Sequence, residues 1–426
     1  MKLNDIVDIN PKTEISHLDD DALVSFIPMS DLSDDGRWLG GDSRMLSSVR
    51  HGYTAFAEND VLFAKITPCM ENGKGAHLKR LLNGVGFGST EYHVLRARSE
   101  DDGEYVFQWS KFRELRRQAA NAMTGSAGQQ RVPADFLRRY PIFEHSPGER
   151  AVVGEVLQML DQAVEQTEAL LGKQQRIKTG LMHDLLSRGL DAQGHIRDPS
   201  THRFKKTVLG TVPDEWNDTK LGALTDMITS GPRGWARYYA KAGAKFIRIG
   251  NLTREHVNLR FDDMQFVDPP AGAEGNRTQL MSGDVLFSIT ADLGIVGLVP
   301  TGFGPAFINQ HLALIRPKPD DVVSGWLANF LASHRIQKWI SNINESGAKA
   351  GLNLPTIKGL PVTAPKPAEQ QMIADILALC DREIAQIHAR VMKLRRQKAG
   401  LMHDLLTGRV PITPLLASNS RVAIPS

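Results

Sequence analysis

The chain has 426 residues, of which 41% are hydrophobic and 23% are charged, and its formal net charge at pH 7 is only +3. One core rarely organises so long a chain, so two or three domains are expected. Two cysteines are too few for a disulfide framework or a four-cysteine zinc site, and no apolar run reaches the roughly 18–20 residues that span a bilayer. The first ten residues carry charges where a signal peptide needs an apolar stretch, so we expect a cytoplasmic protein without membrane contact.

The N-terminal segment, residues 1–146, is rich in glycine and proline and contains short apolar runs such as DVLFAKI at 60–66. Runs of this kind predict short strands joined by turns. One longer stretch, EYVFQWSKFRELRRQAANAM at 104–123, is predicted as a helix. The combination indicates an α+β domain.

A long stretch without proline follows, and we assign residues 147–188 to a central long helix. Its apolar residues recur at alternating steps of three and four, which is the pattern of a coiled coil. The predicted seam consists of Val156, Leu160, Val164, Leu171, Leu181 and Leu185. Polar residues interrupt this seam at Thr167, Gln174 and Lys178.

Residues 189–206 are polar and contain glycine and proline, which predicts a linker. Residues 207–365 are again rich in glycine and proline with short apolar runs, like the N-terminal segment. They are predicted as a second α+β domain, with a helix at 324–343. A distal long helix is assigned to residues 366–408, and the tail 409–426 is expected to be loosely ordered. The distal seam consists of Ile376, Cys380, Ile384, Ile387, Val391, Leu394, Leu401 and Leu405.

An internal repeat relates the two halves of the chain. The heptapeptide GLMHDLL occurs at 180–186 and again at 400–406, and the same shift of 220 residues also superposes Asp161 on Asp381 and Lys178 on Lys398. At about 1.5 Å per residue each helix is roughly 55–60 Å long, more than a small domain needs for its own core. The predicted fold is therefore α+β: two repeated α/β domains separated by two long helices, which pack antiparallel as a coiled coil.

The segments that resemble catalytic motifs each lack a residue that the chemistry needs. FVDPPAG at 266–272 is similar to the Asp-Pro-Pro-aromatic motif of adenine methyltransferases, but Ala271 cannot stack on a flipped base. GVGFGS at 84–89 lacks the lysine of a phosphate-binding loop. The adjacent His183 and Asp184 point about 100° apart on a helix and cannot share a metal ion. We expect no catalytic residue, no metal site and no bound cofactor.

Several segments resemble the specificity subunits of type I restriction–modification enzymes, over nearly the full length of the chain. They are DVLFAKITPCMENGKGA (60–76), LGTVPDEW (209–216), GDVLFSIT (283–290), GPAFINQHLALIRP (304–317) and a long helix ending in GLMHDLLTG (400–408). Their order, with most of them present twice, makes the resemblance specific. The first half departs from the pattern because it lacks an equivalent of GTVPDEW.

The resemblance implies a non-catalytic DNA-recognition protein. Each α/β domain would be a target-recognition domain that reads one half of a bipartite, asymmetric site in double-stranded DNA, and the helices would fix the gap. Two methyltransferase subunits and restriction or translocase subunits would be the partners, and they would use S-adenosylmethionine, ATP and Mg²⁺. A spacer of fixed length suits this task, because half-sites must lie at a set helical phase. A four-residue insertion after Thr167 is therefore expected to lengthen the gap.

Base readout favours arginine, lysine, asparagine and glutamine on loops. The candidates in the first domain are Lys65, Asn72, Lys74, Gln129, Gln130 and Arg131. The candidates in the second domain are Arg233, Trp235, Arg237, Tyr238, Asn309, Gln310, Lys349 and Asn353. Any one of them could instead be a solvated charge or an amide that caps a turn.

The repeated heptapeptide supplies the candidates for partner contact: His183, Asp184, His403 and Asp404. Two other interpretations stay open from the sequence. One is a coiled-coil adaptor that binds other proteins, and binding of DNA with a split-site preference would exclude it. The other is the recognition subunit of a type IIB-like system, which differs in its partners.

Overall fold

A computed structural model describes residues 1–126, 128–269, 277–345 and 352–412. Ala271, Lys349 and most of the predicted tail 409–426 lie outside these ranges. No helix within them is both long enough and apolar enough to cross a membrane. The chain forms two compact units: unit 1 combines Met1–Glu168 with the chain from Ala389 onward, and unit 2 is Ala169–His388. Each unit therefore holds one globular part together with a segment of each long helix.

Unit 1 contains two four-stranded sheets. One has the order β1-β8-β5-β6 and is antiparallel throughout, and the other has the order β3-β2-β7-β4 and includes a parallel β2–β7 pair. The strands are β1 Val7–Ile9, β2 Leu23–Ile27, β3 Asp42–Met45, β4 Thr54–Ala57, β5 Val61–Ala64, β6 Gly75–His77, β7 Val85–Gly88 and β8 Tyr92–Ala97. Every residue of β5 is buried, which explains its unbroken apolar sequence.

Unit 2 repeats this plan. Its first sheet has the order β12-β19-β16-β17, again antiparallel, and its second has the order β13-β15-β14-β18 with a parallel β14–β18 pair. Two ribbons, β9–β10 and β11–β20, are added. The strands are β9 Phe204–Thr207, β10 Gly210–Pro213, β11 Asn217–Lys220, β12 Thr225–Ser230, β13 Tyr239–Ala240, β14 Ala244–Ile247, β15 Gln265–Val267, β16 Val285–Ser288, β17 Val296–Leu298, β18 Ala306–Ile308, β19 Leu312–Pro317 and β20 Pro361–Ala364. The mixed α+β character and the two-domain repeat expected from the sequence are thus confirmed.

Within the described ranges, all α-helices but two are short. They are α1 Leu46–Val49, α2 Gly103–Lys111, α3 Arg113–Asn121, α4 Ala134–Arg139, α5 Pro147–Leu185, α6 Ser324–Ala332, α7 His334–Glu345, α8 Leu354–Lys358 and α9 Pro367–Leu406. We call α5 the central helix and α9 the distal helix. Both begin at proline, which is favoured at a helix start because it has no N–H to leave unpaired.

The two helices predicted at 104–123 and 324–343 are each broken once, which corrects the prediction. Phe112 and Ser333 have extended backbone at the breaks. Four residues later, a side chain donates to a carbonyl that the break leaves free: Arg116 Nε to Ser110 O at 2.7 Å, and Gln337 Nε2 to Leu331 O at 2.9 Å. Because different residues perform the same task, sequence identity does not reveal this part of the repeat.

The predicted linker, residues 189–206, is anchored rather than loose in unit 2. Leu190 and Ile196 form a β-bridge, and the buried Arg197 binds Glu369 at the start of the distal helix, with an N–O distance of 2.7 Å. Glu369 also accepts the backbone N–H of Leu190 at 2.9 Å. The polar composition of the segment therefore reflects a buried ion pair as well as solvent exposure.

Each unit brings segments of the two long helices into contact. In unit 1, Asp161 binds Lys398 and Glu168 binds Arg395, so the contacting segments run in opposite directions. In unit 2, Lys178 binds Asp381. The seam residues face inward, and the polar Thr167 and Lys178 that interrupt the apolar pattern are themselves buried.

Candidate nucleic-acid interface

In unit 1, two of the predicted loops lie side by side. Lys65 directly follows β5, and its carbonyl accepts the N–H of Val132 at 2.9 Å. The carbonyl of Gln130 accepts the N–H of Thr67 at 3.0 Å. The structure therefore brings Lys65 and the segment 129–131 together on one surface.

Arg131 is held by a carboxylate that the sequence did not single out. Its Nε and Nη2 donate to Glu91 at 2.8 and 2.7 Å, and Nη1 donates to the carbonyl of Gln129 at 3.1 Å. Hydrogen bonds from Arg131 lower the pKa of the Glu91 carboxyl. Such a bidentate pair fixes the plane of a guanidinium, a geometry that suits recognition of a guanine edge. Glu91 could have been suspected only from its position next to β8, in the turn that connects β7 in one sheet to β8 in the other.

The hairpin after β5 provides fewer free candidate side chains for DNA contact than the sequence predicts. The Lys74 ammonium is partly buried and donates to the carbonyl of Met29 at 3.0 Å, so it already has a structural role. Asn72 is exposed at the turn. Of these two candidates, Asn72 is the one whose side chain is free to meet a ligand.

In unit 2, Trp235 must be removed from the candidates. Its side chain is only 3% exposed and packs between Phe246, Phe307 and Tyr238, with centroid distances of 5.2–5.8 Å. A tryptophan among arginines in a loop, GPRGWARYY, suggested a DNA contact, but the ring closes a small aromatic core. The neighbouring Arg233 and Arg237 are exposed, and the Arg237 guanidinium lies over the partly buried Tyr238 ring, 4.8 Å from its centroid.

The role of Trp235 can be checked by substitution. We expect Trp235→Ala to lower the free energy of unfolding by about 3–5 kcal/mol, because it removes a large buried ring and leaves a cavity. Trp235→Phe should cost much less, which chemical denaturation would measure. A Trp235→Ala variant that keeps wild-type stability would contradict the buried role and return Trp235 to the candidates.

The second group of candidates in unit 2 divides in the same way. Asn309 is buried, and its Oδ1 accepts the N–H of His311 at 3.1 Å, so it is a turn-capping amide rather than a free reader. Gln310 is partly exposed and lies 3.0 Å from His311 Nε2, while Thr290 Oγ1 lies 2.6 Å from Nδ1. Asn353 caps α8 by accepting the Thr356 N–H at 2.8 Å. Lys349 lies outside the described residues.

The repeated heptapeptide occupies equivalent positions in the two units. His183 and His403 are exposed near the ends of their helices, and Asp184 and Asp404 face Arg188 and Arg409 at 3.9 and 3.8 Å. His183 lines a cavity of about 1100 Å³ within unit 2, and His403 lines one of about 800 Å³ within unit 1. Over the described ranges, no group of three or more histidine, cysteine, aspartate or glutamate side chains is arranged to hold a metal ion.

Comparisons with known proteins agree with this architecture. Residues 213–393 match the type I restriction modification DNA specificity domain. The specificity subunit of the type I restriction enzyme EcoEI of Escherichia coli is 37% identical over 191 residues, which is 43% of this chain and 32% of the relative. The aligned stretch thus spans about a third of that relative's own length.

Two solved structures share the fold across almost the whole chain. The type I restriction–modification S subunit from M. genitalium superposes with a TM-score of 0.59 at 14% identity and covers 95% of each chain. A chain from a structure of the assembly and conformational transition of the type I R-M system superposes with a TM-score of 0.55 at 17% identity, covering 96% of this chain and 97% of the other. With its matched specificity domain and its relative in Escherichia coli, this chain is similar to the specificity subunits of type I restriction–modification enzymes.

Proposed function

We propose that this chain is the DNA sequence-recognition subunit of a type I restriction–modification complex. One observation carries the proposal: a single sheet plan occurs twice, while the candidate loops of the two units differ in chemistry. The first unit presents Lys65 and an Arg131–Glu91 pair, and the second presents Arg233, Arg237 and Gln310. Two similar readers with different loops suit a bipartite, asymmetric site, in which each half has its own sequence.

We also propose that the central and distal helices form an antiparallel coiled coil that fixes the gap between the half-sites. The opposite order of the Asp161–Lys398 and Glu168–Arg395 contacts supports the direction of packing. The inward-facing seam residues support the heptad assignment. A helical spacer holds a distance that a flexible linker would not hold.

Catalysis would belong to the partners. Two methyltransferase subunits would bind at the two equivalent heptapeptides, His183–Asp184 and His403–Asp404, and restriction or translocase subunits would complete the complex. S-adenosylmethionine, ATP and Mg²⁺ would be bound by those subunits in the cytoplasm. The equivalent exposure of the two histidines, each beside a cavity, supports two equal docking positions.

The direct test is methylome sequencing of a methylation-deficient host that expresses this chain with the methyltransferase subunit of its own system. We expect methylated adenines in one motif with two specified halves and a constant gap. Omitting this chain is the control and should abolish the motif. Methylation without a split motif, or methylation that does not depend on the chain, would contradict the proposal.

Arg131 is the sharpest residue-level test in the first unit. We expect Arg131→Ala to weaken binding to the specific duplex by about 5–150-fold, the range for loss of one good bidentate base contact, at unchanged protein stability. Arg98→Ala is the matched control, because Arg98 is also an exposed arginine paired with a carboxylate, Asp8, at 3.1 Å. Equal affinities of the two variants in a fluorescence anisotropy titration would exclude Arg131 as a reader.

A further inference from the structure

Two ion pairs join the long helices, one in each unit. In unit 1, Lys398 Nζ donates to both carboxylate oxygens of Asp161 at 2.5 and 2.6 Å. In unit 2, Lys178 Nζ donates to Asp381 at 2.5 Å. Lys178, Asp381 and Lys398 are only 6%, 7% and 9% exposed, and the Asp161 side chain is 30% exposed. Buried charges are costly unless they are paired, so their presence in a helix–helix contact requires an explanation.

The pairs are copies of each other under the internal repeat. The shift of 220 residues carries Asp161 onto Asp381 and Lys178 onto Lys398. Each helix therefore has one acidic and one basic position, and each contact joins the acidic position of one helix to the basic position of the other.

We propose that these two ion pairs, one buried and one largely buried, select the antiparallel register of the central and distal helices by making the competing parallel register electrostatically unfavourable. The inference rests on the coiled coil proposed above and adds the device that specifies it. Single buried polar groups are known to fix register and orientation in coiled coils at some expense in stability.

The internal repeat is what makes such a device necessary. Because the two seams are copies, a parallel arrangement in which equivalent residues face each other would bury nearly the same apolar surface. That arrangement would place Asp161 against Asp381 and Lys178 against Lys398. Two pairs of like charge, in which only Asp161 keeps partial access to water, would oppose it, whereas the antiparallel arrangement turns both into pairs of opposite charge.

Antiparallel pairings that slide by one heptad are also disfavoured. One slide would set Asp161 opposite Val391 and Lys178 opposite Ala374, and the other would set them opposite Leu405 and His388. The buried charges would then lose their partners while the apolar seam stayed matched. The apolar residues alone do not distinguish these registers, so the choice falls to the charged positions.

Other groups around the pairs reinforce the acidic and basic roles. From α2, Gln108 Nε2 and Lys111 Nζ also approach Asp161, at 2.9 and 3.3 Å. In unit 2, the carbonyl of Glu255 accepts a second hydrogen bond from Lys178 at 3.2 Å. The globular part of unit 1 thus stabilises a negative charge at Asp161, and that of unit 2 stabilises a positive charge at Lys178.

The test exchanges the charges on the central helix alone. The double variant Asp161→Lys/Lys178→Asp turns both antiparallel contacts into like-charge contacts and would make the parallel ones favourable. The quadruple variant, which adds Asp381→Lys and Lys398→Asp, restores opposite charges in the antiparallel register. It is the matched control for changing charge at these sites, and it keeps the proposal testable if the double variant folds poorly.

The relative direction of the helices is measured as the distance between two spin labels in the full-length chain. The native cysteines are removed by Cys69→Ser and Cys380→Ala, and the labels are attached to new cysteines at the exposed Gln162 and Gln397. The antiparallel register brings these positions together, and the parallel register separates them by about 22 Å along the axis. We expect a short distance in the otherwise wild-type chain and its loss in the double variant, with a thermal midpoint lower by about 10 °C or more. The quadruple variant should regain the short distance but only part of the midpoint, because Lys111 and the Glu255 carbonyl still favour the original charges.

The outcomes separate the two proposals. Absence of the short distance in the otherwise wild-type chain would refute the antiparallel coiled coil itself. A short distance that persists in the double variant, or stays lost in the quadruple variant, would overturn only the role of the ion pairs. Neither result depends on DNA or on a methyltransferase, so the recognition function is judged independently by the methylome.

Discussion

Inserting four residues into both long helices is expected to lengthen the unspecified gap of the DNA site by one or two base pairs and to leave both half-sites unchanged. Four helical residues add about 6 Å, and successive base pairs are about 3.4 Å apart. Suitable insertions duplicate 164–167 after Thr167 and 384–387 after Ile387, which are equivalent under the repeat. Both fall between the two interhelical ion pairs along the chain, so each charged residue keeps its own partner.

Methylome sequencing measures the gap and the half-sites in the same experiment. The control is the insertion after Thr167 alone, which from the sequence was expected to lengthen the gap. Because ion pairs join the two helices on both sides of that position, lengthening one helix against an unchanged partner should instead reduce both stability and methylation. A doubled insertion that methylates the original gap would show that the helices do not set the spacing. Altered half-sites would show that the helices also shape the reading loops, contrary to the proposed division of roles.

The sequence was most informative where structure follows local periodicity. The α+β units and the two long helices were readable because strand texture, heptad spacing and the repeated heptapeptide are encoded by neighbouring residues. The breaks at Phe112 and Ser333 could not be predicted from the sequence, because they depend on hydrogen bonds from the Arg116 and Gln337 side chains to carbonyls that the breaks leave free. No short sequence pattern predicts such a hydrogen bond.

The candidate reading loops were the least predictable part for a related reason. Composition drew attention to loops rich in arginine and amides, but composition does not tell which face of a loop is turned inward. Trp235 and Asn309 are consumed by packing and turn formation, and Glu91 was missed because an acid is not a typical DNA contact. The tertiary environment decides which of these side chains are free. Because the residues of the two halves differ at these positions, the internal repeat gives no help in predicting that environment.

Removing Arg197 is expected to destabilise the second unit more than removing any exposed charge. Arg197 is buried against Glu369, which is itself buried at the start of the distal helix, so Arg197→Met would leave a carboxylate without its partner. Breaking a buried pair from one side costs about 3–5 kcal/mol, whereas an exposed pair is worth less than about 1 kcal/mol. We expect losses of that size in the free energy of unfolding, measured by urea denaturation.

Two further variants show whether the loss comes from the orphaned carboxylate. Arg197→Met/Glu369→Met should recover much of the stability, because no charge stays buried, although the Leu190 N–H then loses its acceptor. Arg248→Met is the matched surface control, since Arg248 binds the fully solvated Asp263 at 2.9 Å. If Arg197→Met and Arg248→Met cost the same, the segment 189–206 would be the loose linker that its composition suggests, and the Arg197–Glu369 contact would contribute little. A large loss that the double variant relieves would instead establish this segment as the strap that holds the start of the distal helix within unit 2.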